Sequence, residues 1–193
     1  MTAQILTNWE ATIELALSRL DQSGLILIDG PSGSGKSTLA RQLHQRGLDA
    51  GLNVRLLRLD DVYPGWGGLN SGALEVARDV VLPLAAGRPA SWRPYDWAAG
   101  RKTEPREMSP GAGLIIEGVG ALHPLGSPHA ALRIWVTAEP LERRQRALER
   151  DGDTYRPHWE RWAEQERSYF ARTRPLRRAD VILDTTTKES IDD

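Results

Sequence analysis

A chain of 193 residues, 40% hydrophobic and 26% charged, is long enough to bury one α/β core and too short for two, so a single domain over 1–193 is expected. A net charge of −1 excludes the overall basic footprint of a nucleic-acid binder, and the absence of cysteine excludes a disulfide framework or a thiolate zinc site. The four histidines lack zinc-helix spacing, so any metal is expected to be oxygen-bound.

The N-terminus carries neither a basic leader nor an apolar run. No stretch approaches the roughly 20 apolar residues of a membrane span, so a cytoplasmic protein without membrane association is expected. Trp9, Ile13, Leu15, Leu17 and Leu20 recur at roughly helical spacing and predict a packing helix within 1–22. Leu25 to Asp29 reads as a buried parallel strand, followed by a Gly-rich turn and a helix from about Lys36 to Ala50. Val54 to Leu59 is the second strand and runs into Asp60-Asp61-Val62-Tyr63-Pro64, at the sheet edge where open α/β folds bind ligands.

Ala73 to Ala86 predicts a helix that Pro83 ends or kinks. Gly87 to Gly113, rich in Pro, Gly, Trp and Arg and without periodicity, reads as a long functional loop. Leu114 to Ile116, Leu132 to Val136 and Val181 to Leu183 complete a set of five strands. An Arg-studded helix over Glu139–Arg150 is broken by Asp151-Gly152-Asp153 and followed by a helix over Pro157–Arg172; residues 139–157 are expected to form a short Arg-bearing lid. The alternation predicts a doubly wound five-stranded parallel sheet with helices on both faces.

Gly30-Pro31-Ser32-Gly33-Ser34-Gly35-Lys36-Ser37 fits Gly-x4-Gly-Lys-Ser/Thr in full and lies between a predicted strand and a predicted helix. Such a loop turns its N–H groups around a phosphate, the glycines supply unusual φ angles, and the helix N-terminus adds positive potential. These residues, with Thr38 beside them, are the expected ATP site; Lys36 would reach the β- and γ-phosphates and Ser37 would ligate Mg²⁺. The expected fold is therefore a P-loop NTPase fold.

No asparagine is followed by the lysine of a GTPase base-reading motif, and the Leu-Ser-Gly-Gly-Gln signature of transporter ATPases is absent. A small-molecule kinase fits better. It needs a carboxylate near the acceptor hydroxyl, Mg²⁺, and arginines that cover the transferred phosphoryl group. Asp60, with Asp61 as the alternative, ends the second strand and is the candidate base; Asp60 could also lie near the metal. Glu117 ends the third strand as a candidate Mg²⁺ ligand. Arg143, Arg146 and Arg150 share one helix face, with Arg146 and Arg150 the favoured phosphate contacts. Among the seven tryptophans, Trp66, Trp92 and Trp97 fall in loops on the acceptor side, where an indole could stack on a ligand, whereas Trp9, Trp135, Trp159 and Trp162 read as packing residues.

With these residues assembled, the chain resembles the uridine kinase and phosphoribulokinase branch of P-loop kinases over about residues 23 to 184. Asp60-Asp61-Val62-Tyr63 is similar to that family's Asp-Ser-Phe-Tyr, which implies that Asp60 is the catalytic aspartate. Tyr95-Asp96-Trp97 resembles its Tyr-Asp-Phe, with Arg101 near a family arginine, and Leu114 to Gly118 resembles its strand ending in Glu-Gly. Arg150-Asp151 looks like part of a shortened lid, and Ala179-Asp180-Val181-Ile182 resembles the closing strand. Asp61, Tyr63, Tyr95, Trp97 and Arg101 of these segments, with Trp66 from the loop reading, are expected to face the acceptor.

The family's Asn-Phe-Asp-His-Pro segment is replaced here by Gly65-Trp66-Gly67-Gly68-Leu69, and its base-reading histidine is either replaced by Gly100 or missing. Phosphoryl transfer is implied, but uridine is not. The expected acceptor is a nucleoside or another polyol-bearing small molecule. A nucleoside monophosphate, served by Arg88, Arg93 and Arg101, is the nearest alternative, and a regulatory ATPase is the alternative of another class. A homo-oligomer is left open.

Overall fold

The computed structural model describes residues 4–6, 8–20 and 24–187. In chain order the elements are β1 (Gln4–Leu6), α1 (Trp9–Leu20), β2 (Leu25–Asp29), α2 (Lys36–Asp49), β3 (Val54–Arg58), α3 (Leu69–Glu75), a π-helical segment (Val76–Val81) and α4 (Leu82–Ala85). Four short strands follow: β4 (Ala90–Trp92), β5 (Tyr95–Asp96), β6 (Arg101–Lys102) and β7 (Arg106–Met108). The chain closes with β8 (Gly113–Glu117), β9 (Leu132–Thr137), α5 (Pro140–Tyr155), α6 (Trp159–Thr173) and β10 (Val181–Asp184).

All five strands expected from the sequence are present and parallel, and β1 adds a sixth at the edge, in the order β1-β10-β9-β2-β8-β3. The alternation of apolar side chains explains the two layers of helices. Ile26, Ile28, Ile115, Ile134 and Val136 pack on one face with Ile13 of α1 and Leu39 and Leu43 of α2. Leu27, Leu57, Ile116 and Trp135 face the other way, toward Val80 of the π-helical segment, Ala147 of α5 and Trp162 and Tyr169 of α6. Within the range 1–22 expected for a helix, α1 covers Trp9–Leu20, and 4–6 form a strand instead; residues 1–3, 7, 21 and 22 lie outside the described residues. Among the described residues no helix is long and apolar enough to cross a membrane.

Two further expectations are modified. Pro83 does not end its helix; the chain widens to π geometry over Val76–Val81 and continues through Leu82–Ala85. Proline has no N–H and its ring crowds the carbonyl four residues back, and a π turn just before it relieves that conflict while keeping Val76, Ala77, Val80 and Val81 buried. The segment 87–113 is not an irregular loop but a two-tier antiparallel arm, with Ala90–Trp92 paired to Arg106–Met108 and Tyr95–Asp96 paired to Arg101–Lys102. Strands of two or three residues are too short to show a period of two in the sequence. Lys102 pairs with Glu75 and ties the arm to α3.

Candidate active site

The carboxyl ends of β2, β8 and β3 lie side by side, in that order, at one edge of the sheet, and the P-loop springs from β2. Gly30 takes φ 146°, and a Cβ there would lie 2.0 Å from the carbonyl oxygen of Val136. Gly33 takes φ 77°, and a Cβ there would lie 2.0 Å from the carbonyl oxygen of Arg143. Both positions therefore require glycine, the first to turn against β9 and the second to pass under α5.

Beneath the loop, the fully buried carboxylate of Asp29 accepts hydrogen bonds from the N–H groups of Gly30 (2.7 Å), Gly120 (2.9 Å) and Leu122 (2.9 Å). Burial outweighs those donors and pushes its pKa up to about 6. Lys36 curls back to donate to the carbonyl of Pro31 at 2.9 Å. Among the described residues, the backbone N–H groups of Gly33, Gly35, Lys36 and Ser37 have no protein acceptor, and the buried hydroxyl of Ser34 has no partner. Unpaired buried donors at a helix N-terminus form a seat for an anion rich in oxygen acceptors.

A cleft of about 420 Å³ opens from this seat. On its floor the Ser37 hydroxyl donates to Oε2 of Glu117 at 3.2 Å, while Oε1 of Glu117 is buried without a hydrogen bond and has the guanidinium of Arg58 at 3.4 Å. Burial, and then the charge of Asp60, raise the Glu117 pKa above its usual range, against the pull of Lys36, Arg58 and Ser37. Asp60, half exposed, lies 3.8 Å from Arg58. A hydroxyl, a carboxylate with an unpaired oxygen and a second carboxylate suit a hard divalent cation. No group of three or more His, Asp or Glu side chains gathers among the described residues, so such an ion would complete its shell with phosphate and water oxygens, as Mg²⁺ does.

The far wall of the cleft is aromatic. Trp66 is 4.8 Å from Trp97 between ring centroids, stacks on Tyr155 at 5.3 Å and on His158 at 4.5 Å, and meets Trp162 edge-on at 6.3 Å. The polar tips are engaged elsewhere. Trp97 Nε1 donates to the carbonyl of Asp60 (2.8 Å), Trp162 Nε1 to Glu166 (3.0 Å), and the Tyr63 hydroxyl to the carbonyl of Val119 (2.7 Å). The wall thus offers ring faces to a ligand and few hydrogen bonds.

The cleft brings together Ser32, Gly33, Gly35, Lys36, Ser37 and Thr38 with Asp60, Tyr63, Trp66, Trp97, Glu117 and Arg150. Gly30, Pro31 and Ser34 shape the loop behind it. Arg150 pairs with its neighbour Asp151 at 2.6 Å, and both line the cleft. Arg146 does not reach the cleft. It donates to Thr185 Oγ1 (3.1 Å) and to the Thr185 carbonyl (2.9 Å), and lines a separate hollow beyond Gly35 and Thr38. Asp61 and Arg101 are exposed outside the cleft, and Tyr95 supports it indirectly, with its ring 5.4 Å from Trp97.

Arg58, Tyr155, Trp162 and Glu166 were not singled out as site residues in the sequence. Trp162, expected to be packing, lines the cleft, and Glu166 binds the P-loop: its Oε1 accepts from Ser32 N at 2.9 Å and Ser32 Oγ at 2.6 Å. Trp162, Glu166 and Tyr169 recur at helical spacing as the buried face of α6, so a carboxylate within an aromatic stripe was the available signal.

Residues 26–169 match a family model described as an AAA domain. No curated protein matches the sequence. Among solved structures, one described as a possible uridine kinase from Bacillus stearothermophilus is similar with a TM-score of 0.65 and 22% identity, over 91% of this chain and 97% of that one. Another, described as a candidate fructose transport system kinase from Silicibacter sp. TM1040, has a TM-score of 0.57 and 21% identity, over 92% of this chain and 99% of that one. At these identities the likeness is one of fold, and it agrees with the P-loop kinase-like fold expected from the sequence.

Proposed function

The chain belongs to the AAA domain family, and we propose that it uses this P-loop scaffold to transfer the γ-phosphoryl group of ATP to a hydroxyl of a small molecule. The observation that carries this reading is the meeting, in one cleft, of the P-loop and Lys36, the carboxylates Asp60 and Glu117, and the aromatic wall. The unpaired amides of Gly33, Gly35, Lys36 and Ser37 hold the phosphates, and Lys36 exchanges the Pro31 carbonyl for a phosphate oxygen. Ser37 and Glu117, with Asp60 beside them, would hold Mg²⁺, which would supply charge neutralisation on the phosphates. Asp60 orients the acceptor hydroxyl and takes its proton as the new O–P bond forms and the bond to ADP breaks. Arg150, hinged on the kinked lid helix, covers the departing charge.

The aromatic wall supports an acceptor with a flat ring, a nucleoside or a nucleoside-like metabolite, held by stacking. Arg88, Arg93 and Arg101 are exposed outside the cleft, which supports an unphosphorylated acceptor over a nucleoside monophosphate. The test is ADP release from MgATP against pooled nucleosides, nucleoside monophosphates, sugars and vitamin precursors. The expected result is stimulation by one pool, abolished in Lys36→Ala and lowered roughly 10²–10⁴-fold in Asp60→Asn. ATP binding with no stimulation by any pool would replace this reading with a regulatory ATPase.

A further inference from the structure

Glu166 is a buried carboxylate on α6 with no basic side chain paired to it among the described residues. One of its oxygens accepts three hydrogen bonds, from Ser32 N (2.9 Å), Ser32 Oγ (2.6 Å) and Trp162 Nε1 (3.0 Å). The carbonyl of the same serine accepts from Arg143 of α5 at 3.1 Å. Ser32 is therefore gripped on its amide and hydroxyl by α6 and on its carbonyl by α5, the lid helix. Trp162, the third donor to Glu166, meets Tyr63 edge-on at 5.0 Å and forms part of the aromatic wall.

A carboxylate beside a phosphate seat is electrostatically unfavourable for binding phosphate, so its presence needs a reason that outweighs the repulsion. Geometry supplies one. A loop rich in glycine has many backbone states, and its amides converge on a phosphate only when its flanks are fixed. We propose that Glu166 is a positioning residue: it locks Ser32 so that the P-loop keeps its phosphate-binding shape, and through Trp162 it sets that seat at a fixed place relative to the acceptor wall. This rests on the reading of the P-loop as the nucleotide site. What Glu166 contributes is an acceptor oxygen at the right reach, and the negative charge is incidental.

Three substitutions separate reach from charge: Glu166→Gln keeps the reach and loses the charge, Glu166→Asp keeps the charge and withdraws it by about 1.5 Å, and Glu166→Ala loses both. The measurement is the Kd for MgADP, which needs no acceptor, together with the nucleotide-free melting temperature and far-UV circular dichroism of each protein. The expected result is a Kd for Glu166→Gln within about threefold of wild type and a Kd weakened on the order of tenfold for Glu166→Asp and Glu166→Ala. If Glu166→Ala does not fold, the Gln and Asp variants decide by themselves. Wild-type affinity in the Asp variant, or a loss in Gln as large as in Asp, overturns the proposal while leaving nucleotide binding intact. No MgADP binding by the wild type overturns the nucleotide reading and this proposal together.

Discussion

The guanidinium of Arg58 lies 3.4 Å from the one oxygen of Glu117 that has no hydrogen bond. Arg58 thereby favours the charged form of a carboxyl that burial and Asp60 push the other way. A carboxylate binds a divalent ion only when deprotonated, so affinity for MgADP should fall as pH drops through a range above the usual glutamate value of 4.5. In Arg58→Ala the Glu117 pKa rises further, and the fall should begin at higher pH. MgADP titrations between about pH 5 and 8 check this; superimposed profiles for the two proteins would show that Arg58 has no hold on Glu117.

Trp97 stands at the mouth of the aromatic wall, 39% exposed, and is held by a bond to the Asp60 carbonyl. It carries little of the core. Trp97→Ala should raise the KM for the acceptor about tenfold, consistent with the loss of a ring face, and leave the Kd for MgADP within about twofold. An unchanged acceptor KM would move the acceptor away from this wall.

Asp29 satisfies three amides under the P-loop, and an asparagine in its place offers one acceptor oxygen and one unwanted donor. Asp29→Asn should cost about 1–3 kcal/mol, each kcal/mol lowering the melting temperature by about 2–4 °C. Its folded pKa, about 6, lies above the ordinary value of 3.8, so the folded state holds the proton more tightly. The stabilisation from that proton is complete below the ordinary value and is lost as pH rises through about 6. The stability gap between wild type and Asp29→Asn should therefore narrow by about 1 kcal/mol from pH 5 to pH 7, as read by denaturant titration.

Gly152 kinks α5 with φ 52° and ψ −132°, and a Cβ there would meet nothing within 4 Å. The cost of Gly152→Ala is then one of backbone strain alone, about 1–3 kcal/mol if the kink persists. If the helix straightens instead, Arg150 and Tyr155, on either side of the kink, change their relative position. Either a lower melting temperature or a several-fold lower kcat is expected, and neither change would show that the kink is dispensable.

The phosphate seat was the most legible part of the site, because its determinants are local: glycines at fixed offsets, a lysine and a serine, all within one turn between a strand and a helix. The carboxylates Asp60 and Glu117 were legible for a related reason: Glu117 ends the apolar run of β8, and Asp60 follows β3 by two residues, in the turn that leaves the sheet. The hairpin arm over 90–108 was not, because its strands are too short for periodicity and its partners are set by pairing across the arm.

The arginines show where the reading of a single element stops. Arg143, Arg146 and Arg150 do share a helix face, as their spacing requires, yet Arg143 holds the Ser32 carbonyl, Arg146 is captured by Thr185, and only Arg150 reaches the cleft. Glu166 and Ser32 are 134 residues apart in the chain and share two hydrogen bonds.

By itself the sequence determined the P-loop, the five core strands and the two carboxylates at or just beyond their ends, because backbone conformation and burial leave their mark on neighbouring residues. Tertiary structure alone decided which arginine faces the cleft, that tryptophans from a loop, the hairpin arm and α6 form one wall, and that a glutamate from α6 holds the P-loop. Helical spacing fixes a side chain's direction about its own axis, and only the docking of one element on another fixes what lies in that direction.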